Sequence, residues 1–140
     1  MSSQETFCTF TVDHIYFGVE VHKVQEVIRY QQMTRVPLAP KVVEGLINLR
    51  GQLVTAIDLR TRLGLDVENP EEPMNVVIRN AGGSVSLLVD EIGDVIAVDR
   101  EQFENTPETL RGVPAELIRG AYKLDEKLLL VLDTDKVIAA

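Results

Sequence analysis

Val21-His22-Lys23-Val24-Gln25-Glu26-Val27-Ile28 is matched 68 positions later by Val89-Asp90-Glu91-Ile92-Gly93-Asp94-Val95-Ile96, apolar on apolar and polar on polar. At the same offset, Phe7 to Val12 falls on Asn75 to Asn80, and Tyr16 to Val19 on Ser84 to Leu87. Further along, Gly45, Leu49, Leu53 and Asp58 fall on Gly120, Leu124, Leu128 and Asp133 at an offset of 75. The change of offset implies an insertion between Asp99 and Pro114, where Asn105, Pro107, Gly112 and Pro114 mark a loop. The chain therefore reads as one domain, 1–140, built from two related units at about 7–65 and 75–139. Neither unit could bury much core alone, so the two are expected to share an apolar layer. Whether strands are exchanged between them is left open by the pattern.

Each unit is mostly strand. Val and Ile together number 28 against 8 Ala, and β-branched side chains suit a pleated surface better than a helix. Short apolar runs at Phe7 to Val12, Ile15 to Val19, Leu46 to Leu49, Leu53 to Ile57, Met74 to Ile78, Val85 to Val89, Val95 to Val98 and Leu128 to Leu132 are punctuated by turn residues. Many short strands at close spacing point to a barrel or sandwich. Three helical stretches are expected: Leu59 to Leu63 capped by Asp58 and ended by Gly64, a last turn from Asp133 or Thr134 to Ile138, and Val21 to Val27 on its three-residue apolar spacing. Asp66 to Pro73 reads as the connection between halves.

Charge narrows the function. Fourteen Lys and Arg face 22 Asp and Glu, for a net charge of -8, which disfavours a nucleic-acid binder. The charge is uneven, net +1 over residues 1–65 and net -9 over 66–140, consistent with a more solvated second half or with different partners for the two faces. No run reaches the ~18 to 20 apolar residues of a membrane span, so no direct membrane insertion is expected. The N-terminus has no export signal and Cys8 is the single cysteine, which together lead to an expected cytoplasmic location.

No catalytic motif is present: the sequence has no G-x-S-x-G, phosphate loop, H-E-x-x-H or C-x-x-C. No metal or cofactor is expected. His14, in a turn, and His22 lack partners at metal-ligand spacing. Asp90, Glu91 and Asp94 lack the spacing of a calcium loop and read as a solvated acidic edge, and Cys8 reads as a small core residue. An enzyme reading would have to be a small β-barrel hydrolase using that acidic cluster.

Residues 36–65, VPLAPKVVEGLINLRGQLVTAIDLRTRLGL, form the most distinctive segment. A Pro-bounded loop leads through Gly45 into two strands joined at Arg50-Gly51, with Leu46, Leu53, Val54 and Ile57 able to bury. An Arg on a rigid tip presents a planar fork of donors suited to a partner's carboxylates or carbonyls; the same Arg could simply keep a turn soluble.

This segment, with Lys23 to Ile28 and Leu88 to Val95, resembles the CheW family of bacterial chemotaxis coupling proteins, over about Phe7 to Val137. The resemblance implies two five-stranded, SH3-like β-barrels over a common core. It further implies a non-catalytic, cytoplasmic adaptor recruited to membrane receptor arrays, linking chemoreceptors to the histidine kinase CheA and monomeric when free. One barrel would dock the kinase's regulatory domain and the groove between barrels would hold the receptor's helical hairpin tip. By the same resemblance Asn48, Arg50 and Gly51 form the coupling loop with Gly45, and Val24, Glu26, Val27, Ile92 and Val95 line the groove. The four apolar members could equally be core between the barrels. Thr55-Ala56 departs from the family's proline-containing pair without disturbing a strand. A CheW-like adaptor serving surface motility or gene control is the alternative within the same class.

Overall fold

The computed structural model describes residues 3–65, 72–80, 83–105, 113–125 and 127–139. Most of the expected connection at 66–73, residues 81–82, and residues 106–112 of the expected loop between Asp99 and Pro114 lie outside those residues. The elements are β1 (Gln4–Val12), β2 (Ile15–Glu20), a 3-10 turn (Val21–Lys23), β3 (Val24–Ile28), β4 (Val43–Leu49), β5 (Gln52–Asp58) and α1 (Leu59–Arg62). They continue with β6 (Met74–Asn80), β7 (Gly83–Val89), β8 (Glu91–Asp99), β9 (Phe103–Glu104), β10 (Ile118–Lys123), β11 (Leu128–Leu132) and α2 (Thr134–Ile138). The fold is all-β, with two short helices and three 3-10 turns among the described residues.

Among the described residues two sheets form, in the orders β8-β1-β2-β11-β10-β9 and β3-β6-β7-β5-β4. The β1–β2 hairpin is thus built into the sheet of the second half, and the β6–β7 hairpin into the sheet of the first. Matched at the offsets of 68 and 75, the two orders are the same, with β9 added to one. Each order contains one parallel pair, β2 with β11 and β5 with β7. Five-stranded barrels were expected. Hydrogen bonding instead leaves both sheets open among the described residues, and one sheet gains a sixth, two-residue strand. Curling is nevertheless extensive: after β3 the chain returns to β4, where Thr34 and Leu46 exchange two 2.8 Å backbone hydrogen bonds. After β8 it returns in the same way through β9 to β10.

Alternation along the strands sorts side chains into three apolar layers. On β11, Leu130 and Leu132 join the large shared core, while Leu129 and Val131 face a cluster inside their own sheet with Phe7, Val98 and Tyr122. On β6, Val76 and Ile78 join the shared core and Val77 faces Ile47, Val54, Ala56 and Leu88 within the other sheet. The helices cover the shared core through Leu59, Leu63 and Val137. Arg62 of α1 ties them together, donating from Nε to the Val137 carbonyl at 2.8 Å and from Nη2 to the Lys136 carbonyl at 2.7 Å. Both helices begin as expected, on Asp58 and Asp133, whose carboxylates accept backbone N–H bonds, and Gly64 follows α1 at φ +72°.

One helical expectation fails. Val21 to Val27 makes a single 3-10 turn and then strand β3. The three-residue apolar spacing comes from a β-bulge: Val24 pairs with Ile78 but Glu26 with Val77, leaving Gln25 as the extra residue. An extra residue shifts the alternation, so Val24 and Val27 share a face as they would on a helix. The bulge recurs in β8, where Gly93 and Asp94 stand opposite Thr9. Bulges also recur at Glu44 in β4 and Arg119 in β10, each followed by a glycine, Gly45 and Gly120.

The acidic cluster is likewise not uniformly solvated. Asp90 is half-buried and forms an ion pair with Arg60 of α1, while its Oδ2 accepts the Asp13 N–H at 2.8 Å. Only Glu91 and Asp94 are exposed. Asp90 thereby joins the β1–β2 turn of one sheet to the helix that ends the other.

Candidate functional site

The β4–β5 hairpin turns through Arg50 at φ +52° and Gly51 at φ +85°, the left-handed pair of a two-residue hairpin loop. Asn48 fixes the turn by accepting the Gly51 N–H on Oδ1 at 2.9 Å. Glycine takes such a conformation freely; arginine does not, so the tip carries a side chain where turn chemistry would favour Asn or Asp. Asn48, Arg50 and Gly51 thus form one structural unit, exposed throughout.

Arg50 does not point freely into solvent. Its Nη1 donates to Glu26 Oε1 at 3.1 Å and its Nη2 to Glu26 Oε2, a bidentate pair. Glu26 lies on β3, at one margin of a sheet whose other margin is β4, so the pair spans the curl. The hydrogen bond from Arg50 holds the Glu26 carboxyl below the ordinary glutamate range, and the same contact raises Arg50.

Gly45 stands apart from the tip. It is buried beside the β4 bulge, and a Cβ there would lie 2.7 Å from the Thr34 carbonyl oxygen and 3.1 Å from Met33 Cβ. Its place is set by close backbone approach rather than by exposure. Leu53, expected to bury, is 67% exposed, opposite Asn48 in the β4–β5 register; Val54 and Ile57 bury as expected and Leu46 does so in part.

The four apolar groove candidates divide in two. Val24 and Ile92 are half-buried and pack on the shared core from opposite sheets, while Val27 and Val95 are exposed, Val95 by 60%. β3 and β8 are the corresponding margins of the two sheets. Leu38 was not foreseen: it is fully exposed at φ +63° in a turn closed by a 3.4 Å bond from the Ala39 N–H to the Val36 carbonyl. Its only sequence signal was the bracket of Pro37 and Pro40. Cys8 is half-buried on β1, where burial raises its thiol, and His14 and His22 are exposed. Among the described residues no group of three or more His, Cys, Asp or Glu could hold a metal ion, and no helix is long and apolar enough to cross a membrane.

A model of the CheW-like domain matches residues 6–140. The chemotaxis protein CheW of Klebsiella aerogenes is 31% identical over 137 residues, covering 97% of this chain and 82% of that protein. That of Bacillus subtilis is 32% identical over 135 residues, covering 96% and 86%. Among solved structures, the scaffolding protein TtCheW from Thermoanaerobacter tengcongensis superposes with a TM-score of 0.89 at 24% identity, over 100% of this chain and 94% of that one. With two curled sheets over one core, a pinned N-L-R-G tip and a family match from residue 6 to the end, the chain belongs to the CheW-like family.

Proposed function

We propose that the protein is a non-catalytic adaptor of chemotaxis signalling that couples chemoreceptors to the histidine kinase CheA. The observation that carries this is the match over 6–140, joined by relatives named chemotaxis protein CheW that align across nearly the whole chain. In finer detail, one sheet docks the kinase's regulatory domain and the receptor's helical hairpin tip lies along the margins of β3 and β8. The Asn48-Arg50-Gly51 tip and Glu26 contact partners; Val27 and Val95 offer apolar surface, and Val24 and Ile92 floor it. Supporting this are a hairpin tip pinned by Asn48 and exposed valines at matching margins of both sheets. Rigid tips and exposed apolar rows suit recognition of a helix's apolar face. Gly45 acts by shaping β4. We also infer that 7–65 and 75–139 are two copies of one design; equal strand orders and bulges at matched positions support it. The adaptor is cytoplasmic and monomeric until recruited to receptor arrays.

Kinase autophosphorylation tests the assignment, measured with receptor-bearing membranes and CheA, with and without the protein. A rise that needs all three components and is lost in Arg50→Asp, with folding intact, is the expected result. Binding to neither partner, with phosphorylation unchanged at micromolar protein, overturns it and leaves adaptors of other receptor–kinase pathways to be tried.

A further inference from the structure

The matching margins of the two sheets are held by different chemistry. A bulge interrupts the ladder and leaves backbone groups that other donors must satisfy. In β8 the donor comes from inside: buried Thr9 gives its hydroxyl to the Asp94 carbonyl at 2.5 Å, and a Cβ on Gly93 would stand 2.5 Å from the same Thr9 oxygen. At the offset of 68, Thr9 falls on Val77, which pairs with Glu26 beside the β3 bulge and has no side-chain donor. The β3 bulge is held from outside instead. Arg79 Nη1, on an exposed side chain of β6, donates to the His22 carbonyl at 3.1 Å and to the Val24 carbonyl at 3.0 Å. Ser84, opposite Arg79 in the β6–β7 register, donates its hydroxyl to Gln25 Oε1 at 2.6 Å. The far end of β3 is tied by buried groups, since Asn75 Nδ2 donates to the Arg29 carbonyl at 3.1 Å and Asn75 Oδ1 accepts from Ser86 at 2.7 Å.

Resting on the adaptor reading, we propose that Arg79 is a positioning residue for the receptor groove. By clamping the two carbonyls just before the bulged residue, it supplies from solvent the anchor that Val77 cannot supply from within. It thereby fixes the places of Val24 and Val27 on the β3 wall without itself contacting the partner. The β8 wall needs no such clamp, because Thr9 already fills its bulge. A loose β3 would have to be ordered at the moment of binding, and that cost subtracts from affinity.

Two measurements on the full-length protein test this: amide hydrogen exchange of β3 and β8 in the free protein, and titration calorimetry with a soluble chemoreceptor cytoplasmic fragment containing the hairpin tip. Arg79→Met keeps an apolar stem and removes the donors. It should speed exchange of the β3 amides bonded to β6 by about threefold or more, leave β8 unchanged, and weaken binding about three- to tenfold, the range of one net hydrogen bond. Arg79→Lys, which keeps a donor nitrogen on a long stem, should recover part of both effects. Weaker binding with β3 exchange unchanged makes Arg79 a direct contact and overturns the inference. Faster β3 exchange with unaltered affinity also overturns it, because the hold on β3 then has no bearing on capture. If the wild type does not bind the fragment at all, the adaptor reading fails and the groove role with it, whereas equal binding by wild type and Arg79→Met removes the role of Arg79 alone. Thermal melts of both variants, expected within a few degrees of wild type for an exposed side chain, exclude unfolding as the cause.

Discussion

Removing the carboxylate of Asp90 should destabilise the whole molecule. Its partner Arg60 has a side chain only 6% exposed, and Arg60 Nε and Nη1 are buried without a hydrogen-bond partner among the described residues, where Asp90 is the carboxylate paired with that charge. Asp90→Ala deletes the ion pair and also the 2.8 Å bond from the Asp13 N–H. Breaking a buried pair by removing one partner costs about 3 to 5 kcal/mol. Asp90 retains 20% exposure, which lets water reach the site and favours the lower end, about 3 kcal/mol. For a domain of this size that corresponds to a fall in Tm of about 10 °C. Arg60→Met combined with Asp90→Ala removes the stranded charge and should recover most of the loss, because apolar replacement of a buried pair is often neutral. Thermal unfolding followed by circular dichroism, with urea titrations for the free energies, reads both. A fall of less than about 3 °C in Asp90→Ala, or a double variant as unstable as the single one, would refute the reasoning.

Other expected outcomes are more local. Arg50→Asn should raise Tm by about 1 to 3 °C, because Asn-Gly is the preferred pair for this turn, while weakening partner capture; scanning calorimetry and the autophosphorylation assay separate the two effects. Gly120→Ala sets a Cβ against the Phe103 ring and 2.8 Å from the Glu104 carbonyl oxygen. The ring can move but the strand backbone cannot do so freely, so a loss of about 1 to 3 kcal/mol in urea unfolding is expected. Ile47→Ala, in the fully buried cluster of the first-half sheet, should cost about 2 to 5 kcal/mol by the same measurement. Because Arg50 depresses the Glu26 carboxyl, the pair's contribution is fully present above the unfolded-state value and is lost as pH falls through the lower folded value. A carboxyl NMR titration should therefore place Glu26 below the ordinary glutamate range in the wild type and return it there in Arg50→Gln.

Strands that are unbroken apolar runs bounded by turn residues were legible in the sequence. β11 has the bounds its apolar run predicts, and Asp58, Gly64 and Asp133 mark helix ends by local chemistry alone. What misled was the bulge. Gln25 is an extra residue whose cost and benefit depend on the partner strand, so Val24 and Val27 imitate a helical face in sequence while sharing a strand face in space. β10 escaped notice because its bulge at Arg119 and its glycine interrupt the apolar run. The tip residues were legible as a turn, since Gly51 announces it. The hold of Glu26 on Arg50 was not, because it depends on how far a whole sheet curls. The burial of Asp90 was hidden for a similar reason: its partner Arg60 belongs to the first half of the chain, and a run of acidic residues looks solvated until the opposing cation is placed.

The crossing of hairpins between the two sheets also fixes the order in which the chain can become a protein. β1 leaves the ribosome well before its outer neighbour β8, with Gln4 opposite Asp99, and the β1–β2 hairpin meets its other neighbour only once β11 has been made. Until then the hairpin has unpaired edges and an uncovered apolar face, the condition in which β structures aggregate. Folding is therefore expected to wait until β11 has emerged and to proceed as one slow, cooperative step dominated by distant contacts. A chain truncated before β10 should be a client of chaperones and proteases rather than a half-sized adaptor that could occupy a partner without transmitting a signal.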